Sequence, residues 1–175
     1  QKSSGEGIPI PRPMLLLHRA PILYGIAGQE SRLYPYLSSS ELEFLGGYSQ
    51  RLYEAGACMV ATEAYWEQLK GRGFTGRYIG FVSNGEKEAY KLYEILDAYP
   101  ELERKLRVGY DHRMQEAINL FYHDDFYLAR NLFSTLLRAC PEDGIVRWYL
   151  FACEHFFHQE GEFEVNYSLF GIREL

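Results

Sequence analysis

The chain changes its grammar near residue 97, and that change limits what it can fold into. Before it, apolar residues come in short runs of strand length, "MLLLH", "PILYGIAG", "ACMVATE" and "RYIGFVS", punctuated by Gly, Pro and Ser. After it they recur at helical spacing through "LERKLRVGYDHRMQEAINLFYHDD", "FYLARNLFSTLLRACPEDG" and "IVRWYLFACEHFFHQEG". Strand runs followed by helix runs, rather than alternating with them, predict an α+β fold. The expected sheet has strands near 14–19, 21–27, 57–61, 77–83 and 89–95 and packs on a helix over 38–55. A C-terminal helical bundle follows over 100–158. The matching organisation is a flexible arm or linker at 1–13, an α+β domain at 14–97, a helical tail at 98–160 and an extension at 161–175.

Local signals fill in this outline. Ser38 and Glu41 stand at capping-box spacing, and Leu42, Leu45 and Leu52 give the following helix an apolar stripe. Gly46 and Gly47 interrupt that stripe, each costing a helix about 1 kcal/mol relative to alanine; a close-packing spot is the expected reason. "GQESRLYPY" reads as a turn followed by a loop containing Pro35. Thr62 is placed to cap a short helix, "EAYWEQLKG", that Gly71 ends. "RYIGFVSNGEKEAYKLYEIL" reads as a hairpin turning around Asn84 and Gly85. Asp124 is placed to cap the second tail helix, and "PEDG" separates it from the third.

Charge and composition exclude several classes. A net charge of -6 leaves no excess of the basic surface that nucleic acid requires. No apolar run approaches the ~18 residues of a membrane helix, and the polar, proline-broken start "QKSSGEGIPIPRP" does not read as a signal peptide. Cys58, Cys140 and Cys153 are odd in number and lack CxxC spacing, which predicts reduced core thiols and a cytoplasmic setting. A start at Gln1 suggests a fragment or a processed chain.

Several residues invite a chemical role that a plainer reading covers. His18, tempting as a general base, reads as a strand-end histidine marking a turn. Gly25 and Gly28 have no capped helix after them and read as a turn needing glycine dihedrals rather than a phosphate cradle. Cys153, His155, His158 and His123 do not share a helix face or a zinc spacing, so "FACEHFF" reads as the buried face of the last helix. Glu41, Glu43, Glu63 and Glu67 lie at helix starts, where negative charge suits the dipole. "HDDF" reads as a turn with a cap, and "ELERKLR" as a solvated face of alternating charge. The aromatic residues are spaced mostly as core, and those left exposed mark a partner site.

Three segments together carry a family resemblance. "LLLHRAPILYGIAGQESR", with His18, Gly25, Gly28 and Arg32 in register, resembles a conserved segment of the class III adenylate and guanylate cyclases. "EAGACMVATEAYWEQL" is similar to that family's following strand and short helix, and "GEKEAYKLYEILD" to its closing strand. The helical tail resembles one tetratricopeptide unit, with Ala117, Leu120, Ala129, Phe133 and Pro141 at its small, large, small, aromatic and proline positions. The resemblance covers residues 14–157 and implies the second half of a partial ferredoxin-like, cyclase-type domain.

What the resemblance implies about chemistry is a loss. In active members an asparagine and, four residues later, an arginine hold the ribose and neutralise charge on the phosphate. Here Glu43 and Gly47 occupy those positions, Ser40 the aspartate that precedes them, and Tyr36 the base-contacting position. The family's two metal aspartates lie upstream of the His18 position, and the seventeen residues before His18 contain no aspartate. The family uses magnesium or manganese; this chain by itself is expected to hold neither. The implied function is a catalytically inactive cyclase-like module for regulation or dimerisation in a bacterial signalling protein. Its expected partners are a second copy or another cyclase-type domain, and a protein bound through the helical tail, with neither nucleic acid nor membrane contact. Two alternatives stand beside it. One is a fragment of an active cyclase making cAMP or cGMP from ATP or GTP, which would need Gln50 and Arg51 to take the two roles at the wrong spacing. The other is a helical-repeat adaptor.

Overall fold

The run "ACMVATE" becomes an inner strand of a sheet. In the computed structural model, which describes residues 13–29, 31–83, 89–158 and 167–171, strand β4 (Met59–Thr62) lies between β1 (Leu15–Leu17) and β6 (Ala89–Ile95). β1 pairs with β4 in parallel, β6 with β4 antiparallel, and β5 (Gly76–Ser83) closes the order β1-β4-β6-β5 as the antiparallel partner of β6. Val60, Ala61, Ile79, Val82 and Leu92 are buried, as expected of strands covered on their faces. A register shift between Tyr78 and Gly80 marks a bulge in β5.

The other two strands leave this sheet. β2 (Leu23–Gln29) and β3 (Arg32–Ser38) pair only with each other, as a separate two-stranded hairpin. The expected strand at 21–27 therefore exists but does not join the sheet, and the expected loop around Pro35 is a strand. Pro35 lacks an N–H to donate, a loss that an outer strand tolerates. Gly25 and Gly28 belong to β2 rather than to a turn. A Cβ at Gly25 would stand 2.3 Å from the Tyr36 ring, and Gly28 takes a positive φ with Arg32 O 1.9 Å from where its Cβ would be.

The helix expected over 38–55 is two helices, α1 (Ser40–Gly46) and α2 (Ser49–Glu54). The glycine pair sits at the break, where Tyr48 N–H donates to Leu45 O and the Ser49 hydroxyl donates to Gly46 O at 2.6 Å. A side chain at Gly46 would meet nothing within 4 Å, so close packing is not the reason for this residue; the pair marks the end of α1. Ser39, not Ser38, is the N-cap, and no side-chain cap bond forms. α3 (Glu63–Lys70) starts after Thr62 and stops at Gly71, but the Thr62 hydroxyl does not cap it.

The helical part contains α4 (Glu101–Tyr122), α5 (Phe126–Ala139) and α6 (Gly144–Phe157). Asp125 rather than Asp124 caps α5, its carboxylate accepting from Leu128 N–H, while Asp124 adopts φ 62. Asp143 caps α6 in the same way through Val146 N–H. Sheet and helices share one core: Val60, Ile79 and Leu92 from the strands sit with Met114, Phe121, Phe133, Tyr149 and Cys153 from the helices. Phe133 stacks on Tyr149 with ring centres 4.9 Å apart. Gly144 approaches Ala55 so closely that a Cβ would stand 2.5 Å from its Cα. The segment 167–171 lies along the outer edge of β5, with Leu169 N–H donating to Phe81 O at 2.6 Å. The turn expected at Asn84 and Gly85, the arm before residue 13 and most of 161–175 lie outside the described residues.

Candidate functional site

The hairpin is the most unusual surface of the molecule. Leu23, Tyr24, Ile26, Leu33, Tyr34 and Leu37 are each 60–69% exposed. Register places Tyr24 opposite Leu37, Ile26 opposite Pro35 and Gly28 opposite Leu33, so one face is apolar from end to end. The other face carries Leu23, Ala27 and Tyr34, with Tyr36 lying over Gly25. A two-stranded hairpin is at best marginally stable alone in water, and among the described residues nothing buries the side chains of either face of this one. Sequence reading missed it because "RLYPYLS" alternates weakly and contains a proline; the signal was the pair of tyrosines flanking that proline.

The four positions that the sequence resemblance singles out stand at or beside the base of this arm. Tyr36 is on β3, Ser40 begins α1, Glu43 lies in its first turn, and Gly47 follows its end. All four are exposed. The Ser38 hydroxyl donates to the Glu43 carboxylate at 3.4 Å, and a Cβ at Gly47 would meet only Phe44 O, at 3.2 Å. None of the four side chains is a cation, and the carboxylate of Glu43 repels phosphate. Arg51, four residues beyond Gly47, is engaged elsewhere: its guanidinium donates to Phe170 O at 2.6 Å.

His18 is a satisfied, nearly buried side chain. Its Nε2 lies 2.9 Å from Glu41 Oε2 and its Nδ1 2.8 Å from Thr62 Oγ1. A carboxylate only accepts, so Nε2–H donates to Glu41, and in the neutral ring Nδ1 accepts from the Thr62 hydroxyl. The ring packs edge-on against Tyr90 at 5.4 Å. These bonds explain why neither Glu41 nor Thr62 performs its expected capping role. A hydroxyl, an imidazole and a carboxylate in series resemble a nucleophile relay, but Thr62 is buried, which denies it a substrate.

The densest charge cluster is likewise closed to solvent. Arg77 on β5 donates to Glu94 Oε2 at 2.5 Å and to Asp143 Oδ2 at 2.7 Å. Arg107 on α4 reaches the same two carboxylates at 3.4 and 3.0 Å and lies over the Tyr99 ring. Tyr110 donates to Asp143 at 2.6 Å, and Tyr99 donates to Glu94. Burial opposes the Arg77 charge, yet Glu94 and Asp143 outweigh it and hold the guanidinium pKa well above its usual value. Burial likewise opposes the Asp143 charge, and Arg77 and Arg107 overcome it, keeping that carboxyl below its usual range. Burial raises the Tyr99 and Tyr110 hydroxyls. With two cations balancing two anions, the cluster ties the sheet to the helices, although Arg107 Nε finds no hydrogen-bond partner among the described residues and Arg107 lines a pocket with Tyr53, Cys58 and Glu142. Arg107 belongs to "ELERKLR", so that run is not wholly a solvated face: Glu101 and Lys105 pair on the surface while Arg107 is buried.

The remaining sequence candidates do not converge. Among the described residues no group of three or more His, Cys, Asp and Glu side chains is arranged to hold a metal ion, and Cys153 is buried among apolar side chains, its thiol pushed up to about 12 by burial. No described helix is long and apolar enough to cross a membrane. No protein-family model, no curated protein and no solved structure matches this chain.

Proposed function

We propose that the chain is a catalytically inactive, cyclase-like module whose work is pairing, and that the β2–β3 arm is its pairing surface. The observation that carries this reading is the arm: one face apolar from end to end and a second carrying Leu23, Ala27, Tyr34 and Tyr36, neither buried by the other described residues. Six aliphatic and aromatic side chains, each covering roughly 150–200 Å² when fully buried, leave roughly 600–800 Å² open. That approaches the ~800 Å² that each partner contributes to a standard protein interface. The partner is a second copy or another cyclase-type domain, and the setting is a bacterial signalling protein in the cytoplasm, where buried, unpaired Cys58, Cys140 and Cys153 stay reduced.

Loss of catalysis is supported by the residues at the arm's base. Tyr36, Ser40, Glu43 and Gly47 supply neither an amide for a ribose nor a cation for a triphosphate, and Arg51 is engaged with Phe170.

Two measurements test the reading together. Light scattering on the purified chain is expected to give a concentration-dependent dimer; a strict monomer at high concentration overturns self-pairing. Calorimetric titration with ATP and GTP, each with magnesium or manganese, is expected to give no heat. Micromolar binding overturns the inactive assignment.

A further inference from the structure

Arg107 spends one nitrogen on the charge cluster and keeps the rest of its guanidinium back. Its bonds to Glu94 and Asp143 all leave from Nη1, at 3.4 and 3.0 Å. Nε is buried with no hydrogen-bond partner among the described residues. Nε–H and the neighbouring Nη2 form the edge by which a guanidinium grips a carboxylate with two parallel bonds. A buried donor is seldom left so, because an unmade bond costs the desolvation of the group. The charge itself persists: burial opposes it, but Glu94 and Asp143 outweigh burial and hold the guanidinium pKa above its usual value. The side chain is 3% exposed and lines a cavity of about 460 Å³ between the end of α2, α4 and the turn before α6. That volume falls among those of small-molecule sites. Gly56, at φ 74, turns the chain that forms one wall, and Cys58 N–H on that wall donates to the Tyr99 hydroxyl at 3.1 Å. The Tyr99 ring lies 4.2 Å from Arg107 Cζ, covering a face of the guanidinium and leaving its edge clear. Glu54 and Glu142, both exposed, line the same cavity, with Glu103 one turn before Arg107 on α4.

We propose that this cavity binds a small zwitterion of the basic amino-acid type, its carboxylate on the unbonded edge of Arg107 and its side-chain ammonium held by Glu54 and Glu142. The two ends of the cavity ask for opposite charges. A simple anion answers Arg107 but meets an acidic wall, and a simple cation answers the wall but leaves the Arg107 edge without a partner. A ligand carrying both charges satisfies both ends, and Tyr53 and Cys58 cover its aliphatic stem. None of these residues belongs to β2 or β3, so the site stands or falls independently of pairing through the arm. An ordered water is the plain competitor for a buried donor, and it calls for no particular ligand chemistry.

Calorimetric titration of the full chain with three probes is the test: L-lysine, cadaverine, which lacks the carboxylate, and hexanoate, which lacks the ammonium groups. L-lysine is expected to saturate a single site, with each of the others at least tenfold weaker. Cadaverine as tight as lysine would mean that the acidic wall binds cations without Arg107, and hexanoate as tight as lysine would mean a plain anion site; either overturns the proposal. No saturable binding of lysine leaves the cavity to water and overturns it as well. Arg107→Lys keeps the cation but removes the two-pronged edge, and is expected to weaken lysine at least tenfold while leaving cadaverine unchanged; an unchanged lysine affinity overturns the assignment of Arg107. If Arg107→Lys does not fold, the exposed pair Glu54→Gln and Glu142→Gln replaces it, with the same tenfold loss of lysine expected and unchanged affinity as the rejecting result.

Discussion

Arg77 and Glu94 stand directly opposite each other across β5 and β6, their side chains joined at 2.5 Å and neither reaching solvent. The other end of the Arg77 guanidinium holds Asp143, the cap of α6, at 2.7 Å. One side chain thus spans the sheet and the start of the last helix, while Arg107 reaches the same two carboxylates from α4. Replacing Arg77 by Met keeps the volume and leaves two buried carboxylates facing one cation. The expected loss is about 3–5 kcal/mol, the range for breaking a buried ion pair on one side. Urea denaturation measures it, and a loss below about 1 kcal/mol would mean that the cluster does not tie sheet to helices.

Asp143 makes this tie pH-dependent. Its carboxyl pKa is lower in the folded protein than in the unfolded chain, because Arg77 and Arg107 prevail over burial. The unfolded state therefore binds the proton more readily, and stability falls as pH drops through the ordinary aspartate range toward the folded value. The contribution is fully present above about pH 5. Asp143→Asn is expected to lower stability at pH 7 and to flatten the decline between pH 5 and 2. Denaturant titrations of both proteins at a series of pH values check this; parallel curves would remove Asp143 from the acid response.

How much of this was legible in the sequence differs from element to element. The strand runs at β1, β4, β5 and β6 and the three long helices announced themselves by period, because each buries one continuous stripe. The second strand of the hairpin did not, because alternation between core and solvent, the signal that reveals most strands, is absent from Tyr34-Pro35-Tyr36. The paired helices α1 and α2 looked like one, since Leu45 and Leu52 enter the same core and only Gly46 and Gly47 mark the break. Tyr36, Ser40, Glu43 and Gly47 lie along β3 and α1 near one another because they are neighbours in the chain. Arg77, Glu94 and Asp143 were invisible: their partners are 17 and 66 residues apart in sequence, and an isolated charge in a sequence reads as surface.

Gly80 is a position at which the fold tolerates only glycine. It lies at the β5 bulge with φ +126, and a Cβ there would stand 2.5 Å from the Tyr149 hydroxyl. That hydroxyl donates to Ile79 O at 3.0 Å and meets Tyr122 at 3.2 Å, so it cannot retreat without abandoning both. Gly80→Ala combines backbone strain with displacement of a buried polar group, and about 2–4 kcal/mol of destabilisation is expected. Thermal unfolding measures it. A change within about 0.5 kcal/mol, the size of an ordinary surface substitution, would show that the bulge relaxes.

The arm is expected to separate stability from association, which no core substitution does. Leu33 and Leu37 lie on its fully apolar face, are 65% and 69% exposed, and are not among the buried or partly buried residues of the core cluster. Replacing both by aspartate therefore leaves the unfolding free energy of the monomer within about 0.5 kcal/mol of the parent. At an interface the same change places two carboxylates where apolar surface meets a partner, and a loss of at least about 2 kcal/mol of association is expected, a hot-spot magnitude. Sedimentation velocity over a concentration series reads association, and denaturation of dilute samples reads the monomer. Gly28→Ala provides an independent route to the same point, since its positive φ and the 1.9 Å approach of Arg32 O forbid a side chain and distort the arm near its tip. Both variants are expected to become monomeric with an intact core. A double aspartate variant that dimerises as well as the parent would move the pairing surface away from β2 and β3.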